Sequence, residues 1–275
     1  MINEVEMTHA KAIFFGEHSV VYGKKGITIP LLEMTVNVKL LKNKNNKQKR
    51  DETLKFIANK CNIDDNTEIS IESKIPVGKG LGSSAALCVA ICRAANVENI
   101  KEIADSCEKF IHGNPSGIDV NQVLNDYPLV FSKDAGAKKL DFKLNAFLLI
   151  IDTGVIGITK DTVANVRKNY KKNKKYIDIL GDITEKVIPC LEKKQLEEIG
   201  HYMNLAHDIL KKINVSHEKN DEVVEICNKN NALGSKLTGG GNGGCCISLC
   251  KSYESAKYIQ KKLKEKGFLS WIVSV

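Results

Sequence analysis

The sequence predicts an α+β protein built from two units of mixed strands and helices. Its 275 residues are 43% hydrophobic and 27% charged, which suits two domains of ordinary size, each with its own core. Alternating apolar residues, typical of strands, recur between segments that have the spacing of amphipathic helices. Because strands and helices are interspersed along the chain, an α+β architecture is favoured over a helical bundle.

The first half of the chain predicts a strand, a turn and then a series of alternating elements. Val5, Met7, Ile13 and Phe15 share one side of a strand over residues 5–15, and Gly16 begins a turn-rich stretch. Pro76 ends a later strand because proline lacks the backbone N–H that a sheet uses. The other elements expected here are a strand over about 28–41, a helix over 53–61, a strand over 68–75, a helix from the glycine loop to about Ala95, and a helix over 99–111.

A second unit is expected to begin near residue 146, which divides the chain into an N-terminal domain, 1–145, and a C-terminal domain, 146–275. The segment AFLLIID predicts a buried strand because its apolar run is continuous. Three or four amphipathic helices are expected between 159 and 229, followed by a glycine-rich loop over 239–244. The strand CCISLC, a helix and the closing strand FLSWIVSV complete this unit.

The chain lacks the sequence features of a secreted or membrane protein. No basic segment followed by an apolar one opens it, and nowhere do eighteen apolar residues follow one another. We therefore expect a soluble, cytoplasmic protein with no membrane partner. The nine cysteines form no CxxC pair and are expected to be reduced and buried.

A net charge of +8 raises the question of nucleic-acid binding. The excess comes largely from lysine-rich runs at 42–50, 167–175 and 261–266, where Tyr170 is poorly placed to supply the stacking platform that single-strand binders need. Solvated loops and helix faces are the favoured interpretation, with a basic nucleic-acid-binding module as the alternative. The charge favours anionic small molecules such as nucleotides.

The segment VGKGLGSS, residues 77–84, has the composition of a phosphate-binding loop that opens a helix. The first turn of a helix offers unpaired N–H groups to an anion, and Gly78, Gly80 and Gly82 let the backbone approach phosphate oxygens. Ser83 and Ser84 add hydroxyl groups. From spacing alone, the alternative is a flexible turn in which Ser83 is an ordinary N-cap.

Two other glycine-loop families compete for the same segment. The Walker A pattern GxxxxGK[ST] is absent from the chain. Residues 80–85 satisfy the loose GxGxxA dinucleotide pattern, so a nicotinamide-dependent oxidoreductase is an alternative from another reaction class. That function requires an acidic residue at the end of the next strand, where the chain instead has a helical pattern around Glu98 and Glu102.

Three motifs resemble those of the GHMP kinases, and they occur along the chain in the same order as in that family. PVGKGLGSSAA at 76–86 resembles their ATP-binding motif, HAKAIFFGEHSVVYG at 9–23 their N-terminal substrate motif, and KLTGGGNGGCC at 236–246 their third motif. Within the superfamily, EKFIHGNPSGID at 108–119 is similar to the mevalonate kinases, and the short chain resembles their archaeal members. The sequence departs from the family pattern at Val120, Gly240 and Asn242.

The resemblance implies a GHMP kinase fold with an N-terminal ribosomal protein S5-like domain and a C-terminal ferredoxin-like domain. It also implies ATP-dependent phosphorylation of (R)-mevalonate to 5-phosphomevalonate in isoprenoid biosynthesis, with ATP and Mg²⁺ as cofactors. A sister kinase acting on phosphomevalonate, homoserine or a sugar is the nearest alternative. The oligomeric state stays open, with a homodimer among the choices.

Asp119 and Lys11 are the candidate catalytic residues. Asp119 follows a segment that ends a helix, where a carboxylate can face a ligand, and the resemblance makes it the catalytic aspartate; an Asx-type turn is the alternative. Lys11 falls in an apolar strand, where a cation is costly unless it is paired, so we expect it near Asp119. A lysine that reaches water from a strand edge is the alternative.

The remaining assignments follow from the resemblance. Glu17, His18 and Thr159 would contact substrate, while Ser84 and Glu108 would bind the metal ion. The ATP-binding loop would consist of Pro76, Val77, Gly78, Lys79, Gly80, Leu81, Gly82, Ser83, Ser84, Ala85 and Ala86, and the C-terminal glycine-rich loop would contain Gly239, Gly240, Gly241, Gly243 and Gly244.

Overall fold

A computed structural model describes residues 5–42, 48–113, 115–157 and 159–275, together with the backbone but not the side chain of Thr159. The chain divides into two compact units whose segments alternate along the sequence. The first unit comprises Met1–Lys11, Pro30–Val77 and Gly82–Asp126, and the second comprises Ala12–Ile29, Gly78–Leu81 and Tyr127–Val275. The boundary near residue 146 stays a prediction.

In its described residues, the first unit contains the start of strand β1, most of strand β2, one further strand and four helices. Their bounds are β1 (Glu6–Phe15), β2 (Gly26–Lys42), α1 (Glu52–Lys60), β3 (Thr67–Ser73), α2 (Ser83–Ala94), α3 (Ile100–His112) and α4 (Ile118–Val123). Strands β2 and β3 are antiparallel, from the pair Val36 and Ser73 to the pair Lys42 and Thr67. Alanine-rich α2 is buried along most of its length, because small side chains let its neighbours pack closely.

The second unit contains a four-stranded antiparallel sheet with the strand order β7, β8, β6, β9. Residues 148–151 of strand β6 are fully buried. Their continuous apolar run therefore marks a strand that is covered on both faces of the sheet. The bounds are β4 (Leu129–Ser132), β5 (Gly136–Lys139), β6 (Phe147–Asp152), α5 (Thr159–Lys168), α6 (Tyr170–Glu192), α7 (Leu196–Lys212), α8 (Glu218–Lys229), β7 (Gly234–Thr238), β8 (Cys245–Cys250), α9 (Tyr253–Glu265) and β9 (Leu269–Ser274).

The structure bears out two expectations about composition. All nine cysteines are free and buried. The lysines and the arginine of the run 167–175 lie exposed on α5 and α6, as expected for solvated helix faces. Over the part of the chain that is described, no helix combines the length and apolar character needed to cross a membrane.

Candidate active site

Lys11 and Asp119 form an ion pair in the first unit. The Lys11 side chain is almost completely buried on β1, and its Nζ lies 3.0 Å from Oδ1 of Asp119. The Asp119 side chain, in the first turn of α4, is 30% exposed. The pair therefore combines a lysine held inside the protein with a carboxylate that a ligand can reach.

Gly82 fixes the position of Lys11 relative to the start of α2. A Cβ on Gly82 would lie 2.9 Å from Cγ and 3.0 Å from Cε of Lys11, and the φ angle of Gly82 is +74°. Both the close approach and the left-handed backbone require glycine. As a result, the aliphatic part of Lys11 packs directly against the residue that precedes the first turn of α2.

Ser84, Glu108 and His112 form a polar cluster between α2 and α3. Ser84 Oγ donates a hydrogen bond of 2.5 Å to Oε1 of Glu108, and Nε2 of His112 lies 3.2 Å from Ser84 Oγ. Glu108 is almost completely buried. Burial, and then the charge of Asp119, raise the pKa of Glu108 to about 7, while the Ser84 hydrogen bond and the charge of Lys11 act in the opposite direction.

Burial also lowers the pKa of His112. The negative charge of Asp119 acts to raise this pKa, and the positive charge of Lys11 acts to lower it further. His112 was not singled out from the sequence. The first unit thus brings Lys11, Gly82, Ser84, Glu108 and Asp119 into one electrostatically connected group.

The donor set of the polar cluster suits a hard cation. Among the described residues, no group of three or more histidine, cysteine, aspartate or glutamate side chains is arranged to bind a metal ion. Mg²⁺, however, needs only one or two protein oxygen ligands when phosphate oxygens and water supply the rest. The adjacent Ser84 hydroxyl and Glu108 carboxylate fit that requirement.

Lys79 and Asp152 form a second charged pair, which lies in the second unit. Lys79 Nζ is 2.7 Å from Oδ1 of Asp152 and 3.2 Å from the carbonyl oxygen of Val155. The side chain of Lys79 therefore lies against the end of β6. Asp152 was not singled out from the sequence, because its partner is 73 residues away.

Glu17 and Lys236 form a third pair, also in the second unit, and both side chains are completely buried. Lys236 Nζ contacts Oε1 of Glu17 and donates a hydrogen bond of 2.8 Å to the carbonyl oxygen of Leu237. Burial lowers the pKa of Lys236, and the Glu17 charge acts in the opposite direction. Sequence reasoning missed Lys236, although its place in KLTGGG was a possible signal.

His18 is a buried neutral histidine with an unusual backbone. Its φ is +60°, and its Nε2 lies 3.1 Å from the carbonyl oxygen of Gly240. A carbonyl can only accept, so the ring proton is on Nε2 and Nδ1 is left as an acceptor. Burial lowers the pKa of His18 to about 4, and the hydrogen bond to Gly240 opposes that shift.

The C-terminal glycine-rich loop is anchored by the Asn220 side chain of α8 and by the backbone of the segment before that helix. A Cβ on Gly241 would lie only 2.0 Å from the carbonyl oxygen of Val215, so glycine is required there. Asn242 adopts φ +51°, which asparagine tolerates. Asn220, which sequence reasoning missed, both donates to the carbonyl oxygen of Gly243 and accepts from its N–H at 2.9 Å.

The other predicted residues occupy different environments. Leu81, Ala85 and Ala86 are buried, and the carbonyl oxygen of Ala86 accepts a hydrogen bond from Thr8 Oγ1. Val77 is strongly exposed. Thr159 begins α5, and its side chain lies outside the described residues. The family departure Val120 is fully buried in α4. The remaining predicted positions are Pro76, Gly78, Gly80 and Ser83 in the ATP-binding loop, and Gly239 and Gly244 in the C-terminal glycine-rich loop.

Comparison with known proteins identifies two matching family models. Residues 47–124 match the N-terminal domain of the GHMP kinases, and residues 187–268 match the GHMP kinase C-terminal model. The mevalonate kinase of Pyrococcus furiosus is 31% identical, with 87% of each chain covered. That of Thermococcus onnurineus is 30% identical, with 90% of this chain and 89% of the relative covered.

Solved structures of mevalonate kinases also match this chain. The structure of L. major mevalonate kinase in complex with R-mevalonate matches with a TM-score of 0.86 and 25% identity, covering 99% of this chain and 96% of that one. The Methanococcus jannaschii mevalonate kinase matches in fold with a TM-score of 0.84 and 24% identity, covering 100% of this chain and 99% of that one.

Proposed function

Since the chain belongs to the mevalonate kinase family of the GHMP kinases, we propose that it transfers the terminal phosphoryl group of ATP to the 5-hydroxyl of (R)-mevalonate. The products are ADP and 5-phosphomevalonate. The observation that carries this proposal is the pairing of buried Lys11 with the partly exposed carboxylate of Asp119 beside the start of α2. Family membership also removes the oxidoreductase alternative.

Under this proposal, Asp119 takes the proton from the attacking hydroxyl. As the new O–P bond forms, the substrate O–H bond breaks and its proton passes to the Asp119 carboxylate, while the bond between the β- and γ-phosphoryl groups breaks. Lys11 keeps the carboxylate oriented through its contact at 3.0 Å. Its positive charge also stabilises the negative charge that develops on the transferred oxygens.

The N-terminus of α2 supplies the phosphate-binding groups. Its first-turn N–H groups and the helix dipole favour an anion, and Gly82 lets the Lys11 side chain pack directly beside this turn. Ser83 and Ser84 begin this helix. This arrangement supports the predicted role of residues 76–86 in ATP binding.

We further propose that Ser84 Oγ and the Glu108 carboxylate bind Mg²⁺ together with phosphate oxygens. When bound, the cation neutralises charge on the phosphate groups of the nucleotide. A nearby dication favours the ionised carboxylate, which offsets the burial that raises the pKa of Glu108 to about 7.

Glu17, His18 and Thr159 remain the proposed substrate-binding residues. The neutral His18 ring presents Nδ1 as an acceptor, which suits a hydroxyl group of mevalonate. The glycine-rich loop contributes the carbonyl oxygen of Gly240 that holds the His18 ring in place.

The proposal is tested by ADP release with Mg²⁺ and ATP against a panel of alcohols. Mevalonate, phosphomevalonate, homoserine and galactose are compared with a no-substrate control and an NADPH-oxidation control. Release with mevalonate alone supports the proposal. Release with a different alcohol instead would reassign the substrate within the superfamily, and no release with any alcohol would overturn the kinase function.

A further inference from the structure

The ion pair between Lys79 and Asp152 joins the predicted ATP-binding loop to the end of β6. The side chains are only 11% and 14% exposed, and the atoms Nζ and Oδ1 are 2.7 Å apart. Lys79 Nζ also donates to the carbonyl oxygen of Val155 at 3.2 Å. The ammonium group thus has two protein acceptors, one on the last residue of β6 and one on the segment that follows it.

Backbone hydrogen bonds tie the same loop to its surroundings. The carbonyl oxygen of Lys79 accepts from the N–H of Cys245 at 3.1 Å, and that of Gly78 accepts from the N–H of Gly157 at 3.2 Å. Asp152 Oδ1 also accepts from the N–H of Gly154 at 2.8 Å, which fixes the carboxylate. The loop is therefore connected both to the turn after β6 and to the start of β8.

These contacts oppose a direct role of Lys79 at the nucleotide. Moving its ammonium group to a phosphate would leave the Asp152 carboxylate in a mostly buried position without its cation. An unpaired buried charge is strongly unfavourable. The ion pair is consequently more stable when it persists as nucleotide binds.

We propose that Lys79 and Asp152 are positioning residues that act as a clamp, keeping the loop in its nucleotide-binding conformation without contacting phosphate. This assigns Asp152 a role in ATP binding and changes the role predicted for Lys79. The inference rests on the proposed function, since it concerns the loop that binds ATP.

The Asp152→Asn variant separates the clamp from a direct phosphate contact. If the pair is a clamp, D152N and K79M each weaken binding of the non-hydrolysable ATP analogue AMP-PNP, measured by calorimetry with Mg²⁺, by about 5- to 20-fold. The KM for ATP rises similarly, while kcat at saturating ATP changes by less than about threefold, because the catalytic pair is untouched. The K79R variant should retain most of the wild-type affinity for AMP-PNP, because arginine can keep the ion pair with Asp152.

The neutral double variant K79Q/D152N provides a second test that leaves no unpaired buried charge. Under the clamp, replacing Lys79 in the D152N background weakens AMP-PNP binding little further, because the interaction is already lost. A direct phosphate ligand gives the opposite results: D152N binds AMP-PNP as well as or better than the wild type, and the double variant binds much more weakly than D152N. Either result would overturn the inference.

Lys262→Met is the matched control, because it removes an exposed lysine that pairs with Glu265 on α9. Its AMP-PNP affinity should equal that of the wild type. Calorimetry needs no turnover, so this test is separate from the alcohol panel. A wild type that binds AMP-PNP but releases no ADP with mevalonate would contradict the proposed function and leave the clamp testable.

Discussion

Two lysine–carboxylate pairs of the same chemistry occupy very different environments in this protein. Lys11 and Asp119 in the first unit join a buried lysine to a carboxylate that is 30% exposed. Glu17 and Lys236 in the second unit are both completely buried. Because only the Asp119 carboxylate is partly exposed, we expect only the first pair to exchange a proton with a ligand.

The environments also change what each pair does for stability. A fully buried pair has lost all hydration, so removing one partner leaves an uncompensated charge in the protein interior. Water reaches Asp119 and lowers the cost of disturbing its pair. We therefore expect substitutions in the first pair to act mainly on turnover, and substitutions in the second to lower stability in addition to any effect on the substrate contact proposed for Glu17.

The largest expected effect is on the turnover of the Asp119→Asn variant. Loss of the proton acceptor should lower kcat by about 10³- to 10⁴-fold, because general-base catalysis is removed and Lys11 loses its anionic partner. The affinity for AMP-PNP should stay near that of the wild type. Steady-state kinetics and calorimetry measure these quantities, and near-normal turnover would remove Asp119 from the role of base.

The Glu17→Gln variant should be the most destabilised. It leaves the buried Lys236 ammonium without its anion, so the free energy of unfolding should fall by about 3–5 kcal/mol in urea titrations. The double variant E17Q/K236M removes both charges and should recover much of that loss. If D119N and E17Q had the same free energy of unfolding, the proposed difference between the two pairs would be wrong.

Buried histidines beside the second pair make stability depend on pH. Burial lowers the pKa of His207 from 6.5 to about 4, with the charge of Lys236 acting in the same direction. Below pH 6.5 the unfolded chain binds a proton at His207 that the folded protein does not. The contribution of His207 to the free energy of unfolding is therefore complete above pH 6.5 and is lost as the pH falls towards 4. The loss from this one group is on the order of 3 kcal/mol at pH 4.

The His207→Gln variant should have a shallower dependence of unfolding free energy on pH over this range, as measured by urea titrations at several pH values. His18 should retain its own contribution, since burial also lowers its pKa to about 4. Superimposable pH profiles for the wild type and H207Q would contradict this account of the second unit.

The smallest effect is expected for an exposed ion pair of the second unit. Lys25 Nζ lies 2.8 Å from Oε2 of Glu185, and both side chains are about half exposed. Lys25→Met should change the free energy of unfolding by only about 0–1 kcal/mol and leave kcat unaltered. A loss as large as that of E17Q would show that burial does not control the strength of these pairs.

Local sequence patterns predicted those elements whose residues alone show the type of secondary structure. The continuous apolar run in β6 and the alanine-rich helix α2 were placed close to their observed bounds. The apolar strand around Lys11 predicted that this cation needs a partner, and it has one; that the partner is Asp119 followed from the family resemblance. These features could be inferred because each depends on few neighbours.

Features that depend on distant partners could not be inferred. Strand β7 contains Lys236 and two other polar residues, yet it is completely buried because Glu17 neutralises the lysine. Helix α4 has only six residues, too few for a periodic pattern, and β5 is a short, largely exposed strand without one. Asp152 acquires its partner only when the loop at Lys79 folds against β6.

The most direct test of the central claim is ³¹P NMR of the wild type and D119N, each incubated with Mg²⁺, ATP and (R)-mevalonate. The account predicts equal amounts of ADP and a phosphomonoester, identified as 5-phosphomevalonate by mass spectrometry, for the wild type. It predicts almost no phosphomonoester for D119N over the same time. Equal product from both proteins, or ADP with inorganic phosphate and no phosphomevalonate, would contradict the assignment of phosphoryl transfer to the Lys11 and Asp119 pair.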